Sequence, residues 1–134
     1  AGILSIREEN MSEKHIASEK EDALERIELI CLAGYMRLVG DTLLEGYGGR
    51  IINIHPSLLP AFRGARAMEQ ALEAGVKVFG VTIHEVDASL DGGRIIAQRA
   101  FEYDGNDLEE LERSIHAIEY PLYVETIRKI ITNK

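Results

Sequence analysis

The sequence predicts an α/β fold, with one open, mainly parallel sheet and helices that flank it. Three Ile- and Val-rich runs, at 29–33, 50–55 and 78–86, are nearly all apolar, which is typical of strands covered on both faces. Helical segments separate these runs, as in an α/β protein. With 134 residues, of which 46% are hydrophobic and 28% charged, the chain is predicted to form one domain over residues 1–134.

Each remaining element has its own pattern. The chain opens on the short apolar run 1–6, and the polar stretch 7–28 carries apolar residues at helical spacing, which predicts an amphipathic helix. Shorter helices are predicted at 41–47 and 65–74, because each ends at a glycine or a pair of glycines. A fourth strand is predicted at 94–103.

A long helix is predicted for the C-terminal segment 106–134. It opens on the capping-type residue Asn106, acidic residues follow in the first turn, and apolar residues recur at steps of three and four. Pro121 lies inside this pattern and lacks a backbone N–H. We therefore expect Pro121 to kink or divide the helix.

Composition excludes several classes of protein. The chain has 15 Lys and Arg against 23 Asp and Glu, a net charge of −8, which opposes binding to nucleic acid. No apolar run approaches the ~18 residues of a membrane span, and no signal peptide is recognisable, so we expect no membrane partner and a cytoplasmic location. The single cysteine, Cys31, is interpreted as a buried strand thiol. The histidines at 15, 55, 84 and 116 lack the spacing of metal ligands, so no metal is expected.

The segment 51–60 is the most informative part of the chain. Residues two apart in a strand point to the same side, so Asn53 and His55 are expected to project together. Pro56 and Pro60 end the strand and place His55 at its carboxyl end, where open α/β sheets form their ligand crevice. From these two residues alone, a catalytic pair and a pair that satisfies buried backbone groups are equally good interpretations.

A second cluster, Leu-Asp-Gly-Gly at 90–93, precedes the strand predicted at 94–103. On its own it is best interpreted as a tight turn that the glycines permit. If Asp91 lies near His55, its carboxylate favours the protonated imidazole, which is a proton donor near neutral pH. The Asn53 amide would then donate to an oxygen that gains charge. Together these groups are typical of acyl transfer.

The motif Asn-Ile-His-Pro-Ser-Leu-Leu-Pro at 53–60, followed by Leu-Asp-Gly-Gly at 90–93, resembles the folate-dependent formyltransferases. The resemblance implies a Rossmann-like formyltransferase fold. It also implies transfer of a formyl group from 10-formyltetrahydrofolate to the amine of glycinamide ribonucleotide, a step of purine biosynthesis. The similarity covers nearly the whole chain, through 32–37, 69–72, 80–84, Glu119 and Tyr123.

The resemblance also assigns site residues. Asn53, His55 and Asp91 match the catalytic trio, in which Asn53 and protonated His55 stabilise the oxyanion while Asp91 keeps His55 charged and orders a water that carries a proton. Glu119 would accept hydrogen bonds from the ribose hydroxyls, and His116 would lie near the phosphate. The residues implied at the folate are Arg37, Leu38, Val39, Val86, Asp87, Ala88 and Leu90. The residues implied at the ribonucleotide are Gly34, Tyr35, Met36, Pro56, His116 and Glu119.

The sequence also departs from the family pattern. The family begins with a strand, a phosphate-binding loop, a helix and a second strand, and these have no counterpart here. We therefore expect an N-terminally truncated domain whose uncovered sheet edge favours pairing with a second copy, as a homo-oligomer. The stretch 7–28 is several residues shorter than is usual, and the histidine that the family often carries near 66–68 is absent.

Two other functions stay open. A 10-formyltetrahydrofolate hydrolase shares the same Asn, His and Asp and uses water as the acceptor. A non-catalytic remnant that binds folate or forms oligomers also fits the departures. Methionyl-tRNA formyltransferase has the same centre, but the net charge of −8 opposes a tRNA-binding surface.

Overall fold

A computed structural model of the chain describes residues 2–7, 27–33, 51–88 and 91–132. The elements are β1 (Gly2–Arg7), β2 (Ile27–Ala33), β3 (Ile51–His55), α1 (Ala67–Ala74), β4 (Val78–Glu85), β5 (Ile95–Glu102) and α2 (Leu108–Thr132). The strands form one sheet in the order β1-β2-β3-β4-β5. The prediction of an α/β fold is confirmed, since α1 connects β3 to β4 and α2 follows β5.

The sheet is mixed rather than parallel throughout. β1 and β2 pair in parallel over the full length of β1. β4 and β5 run in opposite directions, because Glu85 N–H donates to the Arg94 carbonyl at 2.8 Å while Tyr103 N–H donates to the Lys77 carbonyl at 3.0 Å. The predicted sheet thus carries an antiparallel strand at its β5 edge, as many α/β sheets do.

The chain divides into two compact units. The first comprises Ala1–Asn53 and His84–Arg94, and the second comprises Ile54–Ile83 and Ile95–Lys134. The boundaries fall inside β3, after Asn53, and inside β4, after Ile83. A single domain over residues 1–134 stays a prediction.

In the first unit, the buried apolar side chains of the described residues come from β2 and β3. Leu29, Ile30, Cys31 and Leu32 are all buried, and so are Ile51 and Ile52. Because neighbouring strand residues point to opposite faces, burial of consecutive residues means that both faces are covered. The prediction from the apolar runs is therefore confirmed, as is the prediction that Cys31 is buried.

In the second unit, β4 and one stripe of α2 supply much of the core. Val81 and Ile83 of β4 are completely buried. In α2 the buried positions Leu111, Ile115 and Leu122 recur at helical spacing. This packing places the centre of β4 in the interior, where its polar side chains need hydrogen-bond partners.

Helix α1 is bounded by left-handed residues. Arg66 precedes it at φ 56° and Gly75 follows it at φ 77°. The predicted end at Gly75 is confirmed, and Gly75 N–H donates to the Leu72 carbonyl at 3.1 Å. The helix begins two residues later than predicted, because the left-handed backbone at Arg66 cannot continue a right-handed helix.

Helix α2 runs from Leu108 to Thr132 and continues through Pro121. The expectation that Pro121 divides the helix is wrong. A proline removes one backbone hydrogen bond, whereas buried residues such as Ile115 and Leu122 fix the helix to the core on both sides of it. Neither α1 nor α2 combines the length and apolar character that a membrane span requires.

The helix predicted at 41–47 lies outside the described residues, and so does the helix predicted within 7–28 except at its ends, where Arg7 belongs to β1 and Ile27 to β2. They stay predictions. In the opening run 1–6, Ala1 also lies outside the described residues. The rest of the run belongs to β1, Gly2–Arg7, which is an additional strand of the sheet.

Candidate active site

Asn53 is the first predicted catalytic residue that the structure describes, and it lies inside β3. Its side chain is 5% exposed, and its Nδ2 lies 3.4 Å from Nε2 of His84. Its Oδ1 is buried and has no hydrogen-bond partner among the described residues. Buried polar atoms are nearly always hydrogen-bonded, so this acceptor is an exception among the described residues.

His84, near the end of β4, connects Asn53 to a second predicted residue. Its ring is buried, and Nδ1 lies 2.9 Å from the carbonyl oxygen of Glu85. A carbonyl oxygen only accepts, so Nδ1 carries a proton. Nε2 faces Asn53 Nδ2 at 3.4 Å and Asp91 Oδ1 at 3.7 Å. The structure therefore brings the predicted amide and the predicted carboxylate to one imidazole nitrogen, within the first unit.

Asp91 is directed at His84 by the turn that the sequence predicts. Its backbone is left-handed, with φ 53°, and its side chain is buried. A Cβ added at Gly93 would lie 1.7 Å from the Glu85 carbonyl oxygen, so the close approach there requires glycine. Arg94 Nη2 then donates to Glu85 Oε1 at 2.6 Å and fixes the two ends of the turn.

His55, the third predicted catalytic residue, belongs to the second unit and ends β3. The imidazole is buried, and its Nε2 donates to the Phe62 carbonyl at 2.8 Å. The backbone of Phe62 is left-handed, with φ 56°. Ser57 Oγ donates to the Ala61 carbonyl at 2.6 Å, next to the acceptor of His55. The loop after β3 is thus bonded both to the histidine and to itself.

Thr82 of β4 fixes the same loop. Its hydroxyl, completely buried, donates to the Ser57 carbonyl at 2.7 Å and accepts from the Leu59 N–H at 3.0 Å. Gln98 of β5 donates to the Thr82 hydroxyl at 3.0 Å and to the Leu59 carbonyl at 2.9 Å. One hydroxyl therefore satisfies three groups that surround the residues following His55.

His116 and Glu119 face each other on α2. Glu119 Oε1 lies 4.0 Å from His116 Nε2, and the two side chains are 26% and 66% exposed respectively. Burial raises the pKa of the Glu119 carboxyl, and the neighbouring His116 partly opposes that rise. Glu119 is thus a partly desolvated acceptor, which suits the role that the resemblance implies for it.

Replacing Glu119 with glutamine is expected to flatten the pH dependence of stability. Because the folded-state pKa of Glu119 is raised, the stability it contributes is fully present below the unfolded value of about 4.3 and is lost as pH rises through the folded pKa. Urea unfolding of both proteins from about pH 4 to 7 measures this. The variant should lose less stability than the wild type across that range.

The matched control for Glu119 is Glu125→Gln on the same helix. Arg99 and then Lys129 hold the pKa of Glu125 below its usual value, so its contribution is present at neutral pH and lost on acidification. The exposed Glu125 variant should therefore shift the pH profile slightly and in the opposite direction. If the stability of Glu119→Gln and of the wild type changed equally with pH, burial would not raise the pKa of Glu119.

The remaining predicted binding residues divide into two groups. The structure describes Val86, whose N–H donates to the Ile51 carbonyl at 2.9 Å, the exposed Asp87 and Ala88, and the half-buried Pro56. The other predicted residues lie outside the described part of the chain: Gly34, Tyr35, Met36, Arg37, Leu38, Val39 and Leu90. All of these assignments stay predictions. Among the described residues, no group of three or more His, Cys, Asp or Glu side chains could hold a metal ion.

Sequence reasoning missed His84. The spacing of the histidines excludes it as a metal ligand, and no other role is predicted for it. The sequence does contain a pattern that indicates its contact with Asp91, because a histidine at the end of a predicted strand is followed seven residues later by the aspartate of a glycine-rich turn. Such a turn returns the chain to the strand end, and here it returns the Asp91 carboxylate to the His84 ring.

Comparison with known proteins gives a consistent result. A family model described as "Formyl transferase" matches residues 5–127. A phosphoribosylglycinamide formyltransferase from Bacillus subtilis (strain 168) is 58% identical over 109 residues, which is 81% of this chain and 56% of that protein. The chain thus spans little more than half the length of this curated relative.

Solved structures show the same similarity. The crystal structure of a phosphoribosylglycinamide formyltransferase from Bacillus halodurans superposes with a TM-score of 0.81 at 52% identity, covering 89% of this chain and 61% of the other. A formyltetrahydrofolate deformylase from Pseudomonas syringae pv. tomato superposes with a TM-score of 0.79 at 30% identity, covering 92% and 42%. The predicted Rossmann-like formyltransferase fold is confirmed by these similarities.

Proposed function

Because the chain belongs to the formyl transferase family, we propose that it transfers a formyl group from 10-formyltetrahydrofolate to the amine of glycinamide ribonucleotide, in purine biosynthesis. The relatives named for transfer to phosphoribosylglycinamide are 58% and 52% identical, whereas the deformylase is 30% identical. The observation that carries the proposal is the buried cluster in which His84 joins the Asn53 amide to the Asp91 carboxylate.

The proposed chemistry needs an oxyanion site and proton transfer. The amine lone pair of the ribonucleotide attacks the formyl carbon, a C–N bond forms, and the carbonyl electrons move onto oxygen. Asn53 and protonated His55 are proposed to donate hydrogen bonds to that oxygen, and His55 is also the proposed proton donor. When the intermediate collapses, the bond to the folate nitrogen breaks, the folate nitrogen gains a proton and the amine loses one. Asp91 is proposed to assist this exchange through a water.

The proposed substrate contacts extend this centre. Residues 37–39 and 86–90 are proposed to contact the folate, and residues 34–36 with Pro56 the ribonucleotide. Glu119 is proposed to accept hydrogen bonds from the ribose hydroxyls, since an ionised carboxylate is an acceptor only. Its partial burial supports this, because burial removes water molecules that would donate to the carboxylate, and the hydroxyl groups of a ligand would replace those donors.

The proposed partners are the two small-molecule substrates. The net charge of −8 supports the absence of a nucleic-acid partner. A cytoplasmic location is proposed from the biosynthetic role. A homo-oligomer through a sheet edge stays a prediction, and the mass of the chain in solution by light scattering tests it.

The function is tested by incubating the purified chain with 10-formyltetrahydrofolate and glycinamide ribonucleotide and separating the products by mass. Formylated ribonucleotide supports the proposal. Formate released at the same rate without ribonucleotide favours the hydrolase alternative instead. If neither product forms although calorimetry shows folate binding, the chain is the non-catalytic folate-binding alternative and the transferase proposal is rejected.

Asp91→Asn is expected to lower the transfer rate at least about tenfold, because the carboxylate beside His84 loses its charge. The matched control is Asp104→Asn, an exposed aspartate that pairs with Lys77 at 2.9 Å. The control should keep the wild-type rate and melting temperature. Equal rates in the two variants would contradict a role for Asp91 in the reaction.

A further inference from the structure

Among the residues that the structure describes, two polar neighbours lie at Nε2 of His84, and the protonation of the ring decides how one of them, the Asn53 amide, is oriented. The Nδ1 side is committed, because its proton is donated to the Glu85 carbonyl at 2.9 Å. Nε2 therefore presents a lone pair in the neutral ring and a second N–H in the charged ring. Its neighbours are the Asn53 amide at 3.4 Å and Asp91 Oδ1 at 3.7 Å.

In the neutral ring, Nε2 accepts from Asn53. This is the described arrangement, in which Asn53 Nδ2 faces Nε2. It has two consequences for the amide. One of its N–H groups is held by the imidazole, and its Oδ1 is left buried without a hydrogen-bond partner among the described residues. An orphaned acceptor of this kind destabilises the arrangement.

In the charged ring, Nε2–H must donate. Two donors cannot face each other, so the amide has to turn by half a rotation about the Cβ–Cγ bond, a torsion with two broad minima. The rotation places Oδ1 against Nε2–H and satisfies the orphaned acceptor. It also places both hydrogens of Nδ2 at the buried position that Oδ1 takes in the described arrangement, where no described residue accepts from them.

We propose that His84 is a positioning residue that orients the Asn53 amide. As an imidazolium beside Asp91, it donates to Asn53 Oδ1 and leaves Asn53 Nδ2 to donate to the formyl oxygen. The identity of that oxygen rests on the proposed function, whereas the orientation of the amide is a property of the chain alone. Among the described residues, the charged group that faces Nε2 is Asp91, from the turn before β5, and the carboxylate of the neighbouring Glu85 is paired with Arg94 at 2.6 Å.

The orientation is tested by NMR on the isotope-labelled chain. Long-range ¹H–¹⁵N spectra report the protonation of each histidine ring, and the side-chain amide resonances of Asn53 are identified by their loss in Asn53→Asp. Over about pH 5 to 9, the Asn53 resonances should move with the midpoint of His84 and not with that of the exposed His116. In Asp91→Asn, the midpoint of the His84 ring and the midpoint of the Asn53 resonances should move together to lower pH, because the nearby negative charge is gone.

Asn53 resonances that stay constant while His84 titrates would overturn the proposal, and so would a His84 ring that stays neutral over the whole range. This measurement needs no turnover. A chain that fails to transfer formyl groups but shows the coupled titration rejects the proposed function and keeps the positioning role of His84.

A kinetic comparison separates positioning from packing. In His84→Gln, the side-chain amide supplies an N–H to Asn53 Oδ1 at every pH, whereas His84→Leu fills the volume and supplies none. We expect the leucine variant to lose about tenfold or more in kcat with KM for the folate unchanged, and the glutamine variant to recover part of that loss. Lys77→Gln, in an exposed ion pair, supplies the baseline. Equal kcat values in two folded His84 variants would refute the proposal.

Discussion

Replacement of His55 with glutamine is expected to lower the rate of formyl transfer by about 10²- to 10⁴-fold while the fold is retained. The His55 imidazole is the proposed proton donor. In the structure, its Nε2 donates to the Phe62 carbonyl at 2.8 Å. A glutamine amide can still donate to that carbonyl. It cannot release a proton near neutral pH, so the chemical step slows although the loop keeps its anchor.

The measurement is kcat with both substrates at saturation, together with thermal unfolding followed by circular dichroism. His116→Gln supplies the contrast, because His116 is largely exposed and is proposed near the substrate phosphate rather than at the formyl group. Its effect should fall on KM for the ribonucleotide, with kcat within about twofold of the wild type. A His55→Gln protein that keeps more than about a tenth of the wild-type kcat would show that His55 is not the proton donor.

Much of the fold follows from local sequence. β2, β3 and β4 are predictable because consecutive residues in each are apolar and the structure buries them on both faces. The end of α1 is predictable because Gly75 adopts the left-handed backbone that terminates helices. The continuity of α2 is not, because it depends on what packs against the helix on either side of Pro121, and no local pattern contains that information.

The candidate site shows the same division. Asn53 and His55 are found from strand periodicity and from the prolines that end β3, since both signs are local. The contact between His84 and Asp91 arises instead from a left-handed backbone at Asp91 and the close approach of Gly93 to Glu85. Turn geometry of this kind depends on tertiary contacts, so the sequence indicates that the turn returns Asp91 to the end of β4 but does not fix its contact with the His84 ring.

Sequence periodicity does not show hydrogen bonds between elements either. The largest effect on stability is expected for a substitution of Thr82, which makes several such bonds. Thr82→Val keeps the shape and the strand propensity of the side chain, so the change isolates the hydroxyl. Two buried groups then lose a partner, the Ser57 carbonyl and the Leu59 N–H, and the Gln98 amide loses one as well. Each buried group left unsatisfied costs about 1 to 3 kcal/mol, and Gln98 can turn toward other acceptors, so we expect a loss of about 2 to 4 kcal/mol.

The free energy of unfolding in urea measures this loss, and Thr126→Val is its matched control. Thr126 is also a buried threonine of the second unit, but its hydroxyl makes one described hydrogen bond, to the Leu122 carbonyl one turn earlier in α2, at 2.7 Å. Because a helical carbonyl already accepts from the backbone, the control should lose less than about 1 kcal/mol. Equal losses in the two variants would mean that burial of a hydroxyl, rather than the three groups around Thr82, sets the cost. Since those groups surround the loop that accepts from His55, Thr82→Val should also lower formyl transfer at temperatures where the chain is still folded.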